Sequence, residues 1–306
     1  MATTIPINSN EFIEQQLDER ICAIEDHFSA GGILADSISF AGPILFGVDN
    51  LIRNAVEAKK EKASRNKLVF ILTTTGGYSE VVHRIVDTVR HHYKTVDFII
   101  PDYAYSAGTV LVMSGDEIYM DYYSRLGPID PQIENPSGKM LPALGYLEQY
   151  KRLIDIALGK AKGRAEPISP AEVQLLISAF DQAELYKYEQ ERELSIALLK
   201  EWLPKYKFKN WVKTETKGIA VTDDMRNKRA VEIAEELNKT ERWHVHGYGI
   251  SMEVLRRELN IKIEDFGQAK ELDEKIWLYH NLLDDYMIRR ENRGVLHIDG
   301  SYQPFV

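Results

Sequence analysis

Apolar residues recur at helical spacing over residues 11–28, where Phe12, Ile13, Leu17, Ile21 and Ile24 share a face behind the capping candidates Asn8, Ser9 and Asn10. After the break at Gly31 and Gly32, residues 49–63 read as a second helix with a charged end. The pattern then changes period. Residues 67–73 carry the unbroken run Leu68-Val69-Phe70-Ile71-Leu72, which predicts a strand covered on both faces and opens into Thr74, Thr75, Gly76 and Gly77. A stripe of Val82, Ile85, Val86 and Val89 makes 79–93 a helix; 95–100 is again a short apolar strand, 106–114 a helix and 117–121 a third strand. Strands and helices alternating at this length imply βαβ units, hence a parallel sheet covered on both faces, with function at the carboxyl ends of its strands.

Beyond Gly127 strand signals thin out. Long helical patterns follow at 144–158, 170–202, 223–238, 251–259 and 271–290, with Pro167, Ser169 and Pro170 at the first junction. No internal repeat or low-complexity tract is present. The expected organisation is an N-terminal helical arm and entry to the core (1–66), a catalytic core (67–240) and a C-terminal extension (241–306).

With 306 residues and 44% hydrophobic content the chain is long and apolar enough for a sizeable core. Its 38 basic against 47 acidic residues, net charge −9, argue against nucleic acid or an anionic membrane as the main partner and favour a small or peptidic one. The single cysteine, Cys22, fits a reducing compartment and reads as a core residue. The first twenty residues, with Glu11, Glu14, Asp18 and Glu19, show no secretory pattern, so the expected location is cytoplasmic. The apolar stretch 98–115 is interrupted by Pro101, Asp102, Ser106 and Gly108 and reads as strand, turn and helix rather than a membrane span.

A nucleophilic serine needs an exposed oxygen, backbone N–H groups for the developing oxyanion and a base. Two strand ends supply such parts. Thr74-Thr75-Gly76-Gly77 lets a backbone N–H approach a carbonyl unobstructed, and Ala104-Tyr105-Ser106-Ala107-Gly108 places a serine among small neighbours at a helix start. Alone, the first reads as an ordinary turn and the second as a helix cap. Nor is Ser106 in a Gly-x-Ser-x-Gly elbow, because Ala104 stands where glycine is needed. Their pairing one βα unit apart is what points to chemistry.

The run 72–77 followed by 104–109 resembles the ClpP and signal-peptide-peptidase-A group of serine peptidases. It is most similar to the serine dehydrogenase proteinase family, through Tyr103-Ala104-Tyr105-Ser106-Ala107-Gly108-Thr109, then Ile118-Tyr119-Met120-Asp121, then Leu126-Gly127-Pro128-Ile129-Asp130-Pro131-Gln132. The likeness is close over about 68–133. It implies an α/β fold with a ClpP/crotonase-like parallel core, Ser106 as nucleophile, an oxyanion hole from the N–H groups of Gly77 and Ala107, a peptide or protein substrate and a homo-oligomer. No Gly-x-Gly-x-x-Gly turn or cofactor lysine motif is present, so no cofactor is expected.

A base must complete the site. The stretch 127–132, where Clp peptidases carry a histidine, offers only Asp130. The serine dehydrogenase proteinase order of serine, acid and histidine implies Asp130 as orienting acid and a later histidine as base. Of eight histidines, His27, His83, His91 and His92 precede the serine, His280 sits mid-helix among Trp277, Leu278 and Leu282, and His297 lies in a terminal tail; structural roles are expected for all. His244 and His246 remain, and the run 246–250 resembles a histidine-bearing segment of that family, which makes His246 the expected base. Such a His-x-His pair also begins some metal sites, but no third ligand is evident and no metal is expected. Lys151, on a half-apolar helix, is the alternative base of a serine–lysine dyad.

Residues 205–213 interleave lysines with Tyr206, Phe208 and Trp211 as a nucleic-acid-binding strand would; in an acidic chain a two-faced amphipathic segment is expected instead. Two rivals to a peptidase stand open: a scaffold that keeps the fold and oligomer without a base, and an acyl-coenzyme-A enzyme of the same fold.

Overall fold

The computed structural model describes residues 8–29, 33–63, 65–129, 132–134, 140–142, 150–152, 154–156, 169, 171, 174, 182–214, 217–243 and 248–306. The order is α1 (Ser9–Phe28), β1 (Ala35–Ala41), α2 (Val48–Lys62), β2 (Lys67–Thr73), α3 (Ser79–His92), β3 (Thr95–Ile99), β4 (Tyr103–Ala104), α4 (Ala107–Val112), β5 (Glu117–Met120) and β6 (Arg125–Leu126). The hairpin β7 (Gln132–Glu134) and β8 (Met140–Pro142) comes next. Then follow α5 (Gln182–Trp202), α6 (Asp223–Leu237), α7 (Thr240–Trp243), β9 (Ile250–Ser251), α8 (Met252–Arg257), β10 (Glu264–Asp265), α9 (Lys270–Arg289), β11 (Val295–Ile298) and β12 (Ser301–Pro304).

Seven strands form the main sheet in the order β10-β5-β3-β2-β1-β11-β12. All pairs from β10 to β1 are parallel, and β11 and β12 add an antiparallel edge. The apolar run of β2 explains its central place. Leu68, Phe70 and Leu72 enter one core with α2, α3 and α4, while Val69 and Ile71 enter the other with α1 and α9. Each such side chain removed from water is worth about 1.5–3 kcal/mol. The expected parallel α/β core is therefore observed.

The N-terminal helix has a partner that its own sequence does not reveal: α1 buries Leu17, Ile21 and Ile24 against α9 and β1. Across this contact His297, expected in a tail, is fully buried in β11, where its Nδ1 lies 2.8 Å from the Tyr279 hydroxyl and its Nε2 3.1 Å from Asp18 of α1. A second, three-stranded sheet, β4-β6-β9, sits at the carboxyl ends of the main strands and joins the segment around Ser106 to the chain before α8.

The lysine–aromatic segment is not a strand. Leu203–Lys207 forms a π-helical turn that continues α5. There the buried Lys207 ammonium pairs with Glu117 at 2.9 Å, Lys209 pairs with Asp116, and the Arg90 guanidinium lies over the Tyr206 ring at 3.8 Å. Lys207 and Lys209 are thus engaged by carboxylates at the start of β5, while Lys205 and Lys213 stay exposed. Among the described residues no helix is long and apolar enough to cross a membrane; the stretch 98–115 divides into β3, β4 and α4.

Candidate active site

The main strands β1 and β2 end where the glycine turn begins, and short ladders lock that turn to its neighbours. Thr74 N–H donates to the Tyr103 carbonyl at 3.0 Å and Tyr105 N–H to the Thr74 carbonyl at 2.9 Å, so the end of β2 is stitched to β4. On the other side Ile44 N–H donates to Gly76 and Tyr78 N–H to Ile44. The two strand-end motifs are thereby brought together.

Close approach dictates both glycines. Gly76 has φ +98°, and a Cβ there would lie 2.6 Å from the Tyr105 carbonyl oxygen and 2.8 Å from the Ser106 Cβ. Gly77 has φ +152°, and a Cβ would overlap the Ile44 carbonyl oxygen. Neither the Gly77 nor the Ala107 N–H donates to an acceptor among the described residues. Two donors flanking the serine thus have no partner among the described residues.

Ser106 is half-buried between β4 and α4 with φ 53° and ψ −120°, one of three non-glycine residues with positive φ among the described residues. Its side chain makes no cap hydrogen bond to α4. The cap reading of this serine therefore does not hold: the position has the strain of a nucleophile elbow without the Gly-x-Ser-x-Gly pattern. Around it the Thr109 hydroxyl donates to the Ala104 carbonyl at 2.7 Å and accepts from the Gly127 N–H at 2.9 Å, which ties α4 to β4 and to the end of β6. Tyr103 and Tyr105 stack at 5.0 Å, and burial raises the pKa of both phenols.

The expected orienting acid Asp130 and the candidate bases His244 and His246 lie outside the described residues. Lys151 is described, as an exposed residue in a helical turn. Cys22 offers no competing nucleophile, because burial, with Asp299 and Glu25 beside it, pushes its thiol up to about 12.

The sequence reading missed a cleft of about 480 Å3 at the carboxyl ends of β1 and β2. It is lined by Thr74 and Thr75, by Tyr103 and by His280 of α9, the histidine expected to serve only packing. Burial lowers the His280 pKa, with Asp102 and Asp284 opposing the shift. No pattern within α9 signals this, since the ends of β1, β2 and β4, with Arg293 and Val306, form the rest of the wall.

The fold and site define an α/β protein that holds a strained serine between two glycine-turn and helix-start N–H groups at the carboxyl ends of parallel strands. Residues 49–156 match the family of ClpP-like SDH-type serine proteinases, in agreement with the resemblance carried by the runs 72–77 and 103–132. The chain is also similar to two uncharacterized proteins of Methanocaldococcus jannaschii. MJ1495 is 37% identical over 82 residues, 27% of this chain and 26% of that protein, and MJ0137 is 32% identical over 85 residues, 28% of each. The chain thus spans about a quarter of the length of the curated relatives it matches. Among solved structures it is similar to a mutant of the 1510-N membrane-bound stomatin-specific protease in complex with a substrate peptide, at TM-score 0.43 and 14% identity over 88% of this chain and 85% of that one. A second mutant of that protease aligns at TM-score 0.31 and 19% identity over 50% and 74%.

Proposed function

We propose that this chain is a serine peptidase, an endopeptidase that cleaves peptide or protein substrates through an acyl-enzyme on Ser106. The observation that carries the reading is the backbone of Ser106. A non-glycine residue in this region costs on the order of 1–3 kcal/mol, and the Ser106 side chain makes no cap bond that would repay it. Presenting the hydroxyl to a substrate gives that strain a purpose, which a scaffold without chemistry would lack.

In the proposed reaction the Ser106 Oγ attacks the scissile carbonyl while a base takes its proton. The oxygen of the tetrahedral intermediate accepts from the N–H groups of Gly77 and Ala107. The proton passes to the leaving amine, the C–N bond breaks, and water releases the acyl group by the same steps in reverse. His246 is the proposed base, with Asp130 orienting it; His244 is its neighbour and Lys151 the alternative. A lysine base must be desolvated to be neutral near pH 7. The exposure of Lys151 favours the histidine.

Cleavage of an unfolded protein or fluorogenic peptide by the wild type and by His246→Ala, His244→Ala and Lys151→Ala tests the assignment. His246→Ala should lose about 10³-fold or more, and wild-type activity should fall on acidification as the imidazole protonates, near pH 6–7 for an ordinary histidine. Loss in Lys151→Ala with His246→Ala nearly whole would establish the dyad instead. The proposal includes a homo-oligomer and a cytoplasmic setting, without a cofactor; turnover of acyl-coenzyme-A thioesters without labelling of Ser106 would support the acyl-transfer rival.

A further inference from the structure

The cleft between α9 and the ends of β1 and β2 adjoins both halves of the proposed active site. Thr74 and Thr75 in its wall run directly into Gly76 and Gly77, and Tyr103 precedes Ser106 by three residues. At about 3.3 Å per residue that separation is at most about 10 Å. A peptide reacting at Ser106 therefore brings a neighbouring side chain to the cleft mouth.

The lining combines apolar and charged side chains. Leu283 and Met287 of α9 give it apolar surface, and Tyr103 lines it too. Asp284 is its carboxylate, and the charges acting on half-buried His280 and on Tyr103 include those of Asp102 and Asp284. The His280 ring makes an edge contact with Trp277, at 5.7 Å between centroids and 68°, and no hydrogen bond among the described residues. A neutral imidazole there can accept a hydrogen bond. Arg293 is the basic side chain of the lining, set against Asp284 in the lining and Asp102, whose charge acts on His280 and Tyr103 beside it.

A long apolar stem with a cationic head fits this combination of surfaces. The stem would lie on Leu283, Met287 and Tyr103 while the head meets Asp284, Asp102 and His280. We propose that the cleft binds a lysine or arginine side chain of the peptide that reacts at Ser106, so that cleavage falls beside basic residues. The inference rests on the peptidase reading for the position of the peptide, but the recognition of the basic side chain is independent of catalysis.

The test compares N-acetyl-lysine methylamide with its uncharged isostere N-acetyl-norleucine methylamide, titrated by NMR or calorimetry into the full chain. The lysine compound should bind about tenfold more tightly or better, as charge-assisted bonds imply, and Asp284→Asn should remove most of that advantage. Equal affinities, no binding by either compound, or a preference untouched by Asp284→Asn would overturn the proposal. Peptides carrying lysine or norleucine beside the cleaved bond should repeat the preference mainly in KM. Labelling of Ser106 with no lysine preference defeats this inference alone, whereas lysine binding without labelling defeats the peptidase reading alone.

Discussion

At the amino ends of the parallel strands, Glu25 accepts from the Ser37 N–H at 2.8 Å, from the Lys59 ammonium at 2.7 Å and from Arg65. Asp36 accepts from the Tyr93 hydroxyl at 2.8 Å, and Lys67 pairs with Asp97 at 2.8 Å. At the carboxyl ends the two donors beside Ser106 have no acceptor among the described residues, the serine backbone is strained, and Phe46 and Tyr78 stand exposed in ring contact at 4.4 Å. Buried charges are paired where the sheet is held together and donors are left open where a substrate would enter. An unpaired buried charge costs several kcal/mol, whereas an N–H without an acceptor beside a nucleophile is placed to bind a substrate oxygen.

The largest effect that would break this contrast comes from Ser106→Ala. Peptide cleavage should fall by about 10⁴-fold or more, as on removal of a serine nucleophile. Its melting temperature should not fall, since the side chain makes no cap bond. A melting temperature lowered by more than a few degrees would mean that the serine serves the fold.

Next in size is Glu25→Ala at the opposite end. It leaves Lys59, whose side chain is 9% exposed, without its carboxylate, and breaking such a pair should cost about 3–5 kcal/mol. Urea unfolding measures the cost, and cleavage below the transition should be retained. A loss under about 1 kcal/mol would place this network among ordinary surface ion pairs.

Gly77→Ala should reduce kcat by about 10²–10³-fold, the usual effect of losing one oxyanion donor. The added methyl overlaps the Ile44 carbonyl, and the backbone must shift to admit it. Steady-state kinetics on the folded variant is the check; an unchanged kcat would remove Gly77 from the oxyanion hole.

The smallest effect concerns His280, whose native pKa burial lowers from the ordinary 6.5. Above 6.5 both folded and unfolded chains hold it neutral. As pH falls from 6.5 toward the lowered native value, the unfolded chain takes up the proton first and stability is lost. His280→Gln should flatten that part of the stability–pH curve. An identical slope in the variant would mean that other groups produce it.

Much of the main sheet was legible from sequence because β2 and β3 are apolar runs bounded by turn residues, and α3 carries an unbroken Val/Ile stripe. The meeting of Thr74–Gly77 with Ala104–Gly108 was legible too, as strand ends one βα unit apart. The conformation of Ser106 was not, because its positive φ is imposed by the ladder between Thr74 and Tyr103 and by Gly76 packed beneath it, not by its own residue type. The partner of α1 was hidden by distance along the chain: Glu14 bonds the Tyr286 hydroxyl at 2.7 Å across 272 residues. The partners of Lys207 and Lys209 were hidden for the same reason, since Glu117 and Asp116 lie far upstream.

Intact-mass spectrometry after treatment with a serine-reactive phosphonate tests the central claim most directly. The account predicts a single adduct on the wild type, mapped by peptide digestion to Ser106 and absent in Ser106→Ala. An unlabelled wild type, or an adduct that persists in the variant, would contradict it.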